Sequence, residues 1–124
     1  MSFKWVPAVA LVTALWSAEA PIPPHKAPPW EKNSHLLAGQ QLFRDNCAVC
    51  HDIEKGQTRK VGTVSVPSLY HLFQNPKLPV TPIPPTREFV SATIKFGRGL
   101  MPAFRRLGLS DADVNTLVDY IQTK

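Results

Sequence analysis

With 124 residues the chain suits one small domain, whose limited core gains from a disulfide, a metal or a large cofactor. Its two cysteines share one five-residue stretch, which excludes a scattered disulfide framework. The formal charge of +5 is dispersed, with only short pairs at Arg59-Lys60 and Arg105-Arg106; this excludes a nucleic-acid signature and favours an acidic protein partner or an anionic surface.

Residues 1–20 read as an export signal or an N-terminal membrane anchor. Lys4 gives a positive start, Trp5 to Ala18 is mostly apolar, and Ala18-Glu19-Ala20 fits a small-x-small cleavage site. A continuous span needs ~20 apolar residues, and this stretch stops at Glu19, which favours removal. Pro21 directly after the cut favours retention. Either outcome puts the rest of the chain outside the cytoplasm. Residues 21–33 hold five prolines, and the lost donors and fixed φ predict an extended linker.

The domain itself is expected over residues 34–124. Ser34 is a candidate cap for a first helix whose apolar side carries Leu36, Gly39 and Phe43 and which runs into Cys47. Residues 52–66 have no clear period, and Pro67 to Phe73 suggests a short helical turn. Residues 76–85 hold five more prolines and read as a surface or docking loop. Thr86 caps a second helix with Phe89, Val90, Thr93 and Ile94 on one face, closed by Gly97. Gly97 to Phe104 is a loop that Pro102 keeps from being helical. Ser110 caps the last helix, with Asp113 in a weak capping box and Val114, Leu117, Val118 and Ile121 at helical spacing. No convincing alternating strand is present, so the class is all-α with long loops.

Cys47-Ala48-Val49-Cys50-His51 is a C-x-x-C-H sequence. Positions i, i+3 and i+4 lie on one side of a helical turn, so two thiols can reach the vinyl groups on one haem edge while the imidazole rises towards the iron. Three other chemistries use C-x-x-C. A thioredoxin-like pair wants a βαβ context, a structural zinc wants two more ligands with only His71 in view, and a disulfide would close a strained short loop. The His directly after the second Cys, behind an export signal, favours covalent haem attachment.

A second axial ligand must come from elsewhere. With the signal removed, Met101 is the only methionine, and it sits in a Gly- and Pro-bounded loop between helices. A thioether favours reduced iron, and His/Met is a standard cytochrome c pair. The plain alternative for Met101 is core filling. Among histidines, His25 lies in the linker and His35 starts a helix, so His71 is the competing ligand for a bis-histidine haem.

With these residues in place the sequence resembles class I c-type cytochromes over residues 34–124. Gly39, Phe43 and Cys47 stand four apart as in that family's first helix, and Tyr120 matches the aromatic that packs across the glycine. Pro67-Ser68-Leu69 resembles the Pro-x-Leu segment, and Ile94 to Phe104 resembles the methionine-ligand loop. The resemblance implies a cytochrome c fold, with three to five helices around one covalently bound haem c. It also implies that the Pro67 carbonyl accepts the Nδ1 proton of His51 and that Met101 ligates the iron. Val66 stands where the family usually has glycine, and the His51–Pro67 loop is rather long. Arg98 beside the ligand loop is either a partner for a haem propionate or a solvated arginine.

The function expected on this basis is a periplasmic one-electron carrier or electron-carrying subunit. Electrons would arrive from a dehydrogenase or quinol-oxidising complex and leave to an oxidase or reductase. Lys95, Arg98, Arg105 and Arg106 flank the Met101 loop and would steer docking to an acidic partner. The alternative is a haem c subunit with an open or labile iron, acting as a peroxidase or as a gas or redox sensor.

Overall fold

A computed structural model describes residues 29–79 and 81–124. In chain order it contains α1 (Pro29–Asn46), β1 (Arg59–Val61), β2 (Val64–Val66), a 3-10 turn (Leu72–Gln74), α2 (Arg87–Phe96), a second 3-10 turn (Phe104–Leu107) and α3 (Asp111–Gln122). The segment read as an export signal, most of the proline-rich linker and His25 lie outside the described residues.

Helix α1 begins at Pro29, five residues before the expected cap, and Ser34 lies inside it. Proline is well suited to a first helical position, because the N–H it lacks has no intrahelical partner there and its φ is already helical. Residues 29–33 therefore belong to the helix and not to an extended linker. Downstream, the packing of α1 on α3 is set by one residue. A Cβ on Gly39 would come within 2.5 Å of Tyr120 Cβ and 2.7 Å of the Thr116 carbonyl, so only glycine admits this crossing. Beside it the Phe43 and Tyr120 rings pack with centroids 6.1 Å apart.

The caps expected for α2 and α3 form. The Thr86 hydroxyl accepts from Phe89 N at the start of α2, and Ser110 and Asp113 make a reciprocal capping box at the start of α3. The inner faces of these helices supply Val90, Ile94, Val114, Leu117, Val118 and Ile121 to the core, and among the described residues no polar or charged residue is buried with them. On the outside, Asp119 of α3 joins all three helices, meeting His35 Nε2 of α1 at 2.7 Å and the Arg87 guanidinium of α2.

Residues 59–66 correct the strand-free reading. Arg59–Val61 and Val64–Val66 form an antiparallel pair with Arg59 opposite Val66, closed by Gly62 at φ +61. Positive φ at the first position of a two-residue loop matches the right-handed twist of the strands. Three-residue strands with both faces exposed carry no alternation to read. Residues 76–85 also depart from a plain surface loop. Leu78 and Pro85 are buried, and Leu78 N–H donates to the Ile83 carbonyl at 2.8 Å, so the loop is pinned to the core by its own side chains. The expected turn near residues 67–73 is present as Leu72–Gln74. Among the described residues no helix is long and apolar enough to cross a membrane.

Candidate functional site

Helix α1 ends by handing the chain directly to the C-x-x-C-H stretch. The Phe43 carbonyl accepts from both Cys47 N (2.8 Å) and Ala48 N (3.0 Å), and the Cys47 carbonyl accepts from Cys50 N (3.1 Å) and His51 N (2.8 Å). Residues 47–51 thus make the single turn that the spacing predicts. Both cysteines are free thiols, Cys47 buried and Cys50 half-buried. Burial, and then the neighbouring Cys50, pushes the Cys47 thiol up to about 12, so it stays protonated.

His51 is oriented from one side. Its Nδ1–H donates to the Pro67 carbonyl at 2.8 Å. A carbonyl can only accept, so Nδ1 carries the proton, and in the neutral ring Nε2 holds the lone pair. Burial pulls His51 below the ordinary imidazole range, and the Pro67 bond works in the opposite direction. The segment carrying Pro67 is itself fixed beside the attachment turn, since the Asp52 carbonyl accepts from Leu69 N at 2.8 Å and from Ser68 Oγ at 3.1 Å. Arg59, reaching back from β1, donates from Nη1 to the Ala48 carbonyl at 2.7 Å. The Asp52 carboxylate closes the following bend. The bond from Lys55 N is the main reason its pKa lies below the usual carboxylate range, with Gln57 N and the Arg59 charge adding to it.

Asp52, Ser68 and Arg59 were not foreseen from sequence. Their bonds join a side chain or backbone group to a distant carbonyl, and such bonds impose no spacing pattern. The hydroxyl of Ser68, one residue after the expected proline, was the one available hint.

Met101 is held differently. Arg98 and Met101 exchange two backbone bonds of 3.0 Å across Gly99-Leu100, a two-residue turn with Gly99 at φ +57. Met101 is half-buried and packs against the core. The loop folds back on the end of α2 because Gly97, at φ +75, has no Cβ. One placed there would lie 2.5 Å from the Met101 carbonyl and 2.8 Å from Ala103 N. Arg98 lays its guanidinium over the Phe89 ring at 5.8 Å and pairs with no carboxylate among the described residues. The basic group around this loop is smaller than its sequence suggests, because Lys95 is paired with Asp111 at 3.1 Å. Arg105 and Arg106 remain exposed. His71 has its ring bonded to Gln74 Oε1 and edge-on to Tyr70.

Fold and site together define a class I c-type cytochrome. The chain belongs to the family described as cytochrome c oxidase, cbb3-type, subunit III, which matches residues 34–121. Among solved structures it is similar to cytochrome c6 from the diatom Phaeodactylum tricornutum, with 27% identity, a TM-score of 0.51, and coverage of 71% of this chain and 91% of that one. A search among curated proteins returns no match. The protein is accordingly an electron-transfer protein with covalently bound haem c.

The residues present suit that group. Two unpaired thiols share one turn with an imidazole whose Nε2 makes no hydrogen bond to a described residue. A half-buried thioether lies in a separate loop. Thr81 Oγ1 is buried with no hydrogen-bond partner among the described residues, a donor that a cofactor bearing carboxylates can satisfy. Among the described residues no cluster of three or more His, Cys, Asp or Glu forms, so the zinc reading finds no further ligands there.

Proposed function

We propose that this protein is a periplasmic one-electron carrier, or an electron-carrying subunit, in which Cys47 and Cys50 attach the haem and His51 and Met101 are the axial ligands. Haem iron with two protein ligands gains and loses one electron without an open position for substrate. The observation that carries this reading is the bond from His51 Nδ1 to the Pro67 carbonyl, which commits the proton to one nitrogen and the lone pair to the other. Pro67 thus orients the ring and raises its basicity as a ligand. The paired bonds between Arg98 and Met101 present the thioether on a short, closed turn. Arg98, which pairs with no carboxylate among the described residues, is the residue assigned to a propionate.

The family description names an oxidase subunit, and the acceptor in this reading is an oxidase or reductase fed from a dehydrogenase or quinol-oxidising complex. Residues 1–20 deliver the domain to the periplasm, where it is released or stays tethered to the outer face of the inner membrane. Arg105 and Arg106, exposed beside the same loop, steer an acidic partner, an effect on association rate that weakens with salt.

The test is an absorption spectrum of holoprotein made in a host that attaches haem c, oxidised and reduced, with and without CO. The expected result is a thioether-to-ferric charge-transfer band and no response to CO, with the band lost and CO admitted in Met101→Ala. A wild-type spectrum that shifts with CO would replace this reading with an open-iron peroxidase or sensor.

A further inference from the structure

The β-hairpin grips the attachment turn at two points. From β2 the chain runs through Val66 into Pro67, whose carbonyl takes the His51 Nδ1 proton. Opposite Val66 on β1 stands Arg59, whose guanidinium reaches the Ala48 carbonyl between the two cysteines at 2.7 Å. The ladder therefore fixes both contacts relative to each other. Arg59 forms no ion pair among the described residues; Asp52 is the nearby carboxylate that feels its charge, and that carboxylate is already committed to Lys55 N and Gln57 N. Its bonded partner at the turn is a neutral carbonyl. A guanidinium stays charged at every accessible pH and holds its geometry through a planar fork.

We infer that Arg59, held against the attachment turn at the Ala48 carbonyl, acts as a fixed positive charge that favours the ferrous state of an iron held by His51. This rests on the His51-ligated reading above. A positive charge close to the iron disfavours the extra charge of the ferric form, and the effect depends on distance and on how far solvent is excluded. Arg59 and Lys60 are both exposed, but successive strand residues point to opposite faces, and of the two it is Arg59 that bonds the attachment turn. The same charge at Lys60 should matter less.

The experiment is a redox titration of holoprotein for wild type, R59K, R59Q and K60Q, each with its ferric and ferrous spectrum. At a fixed applied potential, R59Q is expected to lower the ferrous-to-ferric ratio about threefold. R59K, which keeps the charge, should retain most of the wild-type ratio, and K60Q should move it by less than half as much as R59Q. R59M serves the same purpose if R59Q fails to mature. An unchanged ratio in R59Q or R59M would overturn the inference, as would an R59K shift as large as theirs or a K60Q shift equal to them. The CO response of the wild-type spectrum tests the ligation separately, so failure of that reading and failure of this one are distinguishable.

Discussion

The two sides of the candidate haem site are built in unlike ways. The His51 side is fastened by bonds that cross long stretches of sequence: His51 to Pro67, Asp52 to Ser68 and Leu69, Arg59 to Ala48. The Met101 side is fastened locally, by two backbone bonds across one turn and by the space left at Gly97. His51 on the first side is one part of a network, and removing one bond leaves the others in place. On the second side the geometry depends on one short turn and on Gly97 and Gly99, both at positive φ. The two designs should therefore fail differently.

The largest effect is expected where both sides lose their common support. Gly39→Leu forces a side chain into backbone and Cβ contacts at the α1–α3 crossing and should cost about 3 kcal/mol or more, read as a lowered urea midpoint. An unchanged midpoint would mean that the crossing does not hold the domain together.

Gly97→Ala should break the comparison on the methionine side alone. Positive φ and a 2.5 Å approach to a backbone carbonyl together predict a loss of about 2 kcal/mol. Amide exchange should speed up at Arg98 and Met101 while Cys50 and His51 keep their protection. Equal loosening on both sides would show that the two are one unit.

Ser68→Ala sharpens the other half. It removes the Oγ bonds to the Asp52 carbonyl and from Tyr70 N and should cost about 1 kcal/mol, read as a urea midpoint, because the Leu69 bond to the same carbonyl and the His51–Pro67 bond remain. A loss as large as that expected for Gly39→Leu would make Ser68 more than one strut among several.

The smallest effect lies away from the site. Burial pushes the Asp119 carboxyl up, but its bonds to His35 and Arg87 outweigh this and hold it below the usual carboxylate range. A depressed folded-state value adds stability above about pH 4, and that stability fades as pH falls through the lower folded value. Asp119→Asn should lose about 0.5 kcal/mol at neutral pH, since the pair is partly exposed, and show a flatter acid limb in urea midpoints measured down to pH 3. An acid limb identical to that of wild type would assign the acid sensitivity to other carboxylates.

What the sequence revealed follows the same division. The attachment turn and the three caps at Thr86, Gly97 and Ser110 were legible, because each rests on fixed spacing or on a residue type with one conformational use. The Gly39–Tyr120 crossing and the Pro67 contact were reached only through resemblance, and the structure brings both pairs together. The start of α1 at Pro29, the hairpin, and the Arg59–Ala48 bond were not legible. Proline density argues against helix except at a first position, and Arg-Lys-Val and Val-Ser-Val are too short to show a period. Lys95 looked like a docking charge because nothing in the sequence shows that Asp111 would come within 3.1 Å of it.

The crossing at Gly39 has a consequence for the order in which the molecule opens. It joins an early helix to the last one, so nearly the whole described chain lies between its two contacts, and closing it carries the entropy of the largest loop in the domain. Once closed, α1 and α3 form a frame whose opening is equivalent to global unfolding. The segments 59–66, 76–85 and 97–103 hang from that frame as separately closable loops, and each can detach for the free energy of its own contacts. Opening of the Met101 loop is then a sub-global event, available at less than the total stability, while Cys47, Cys50 and His51 stay next to the closed frame.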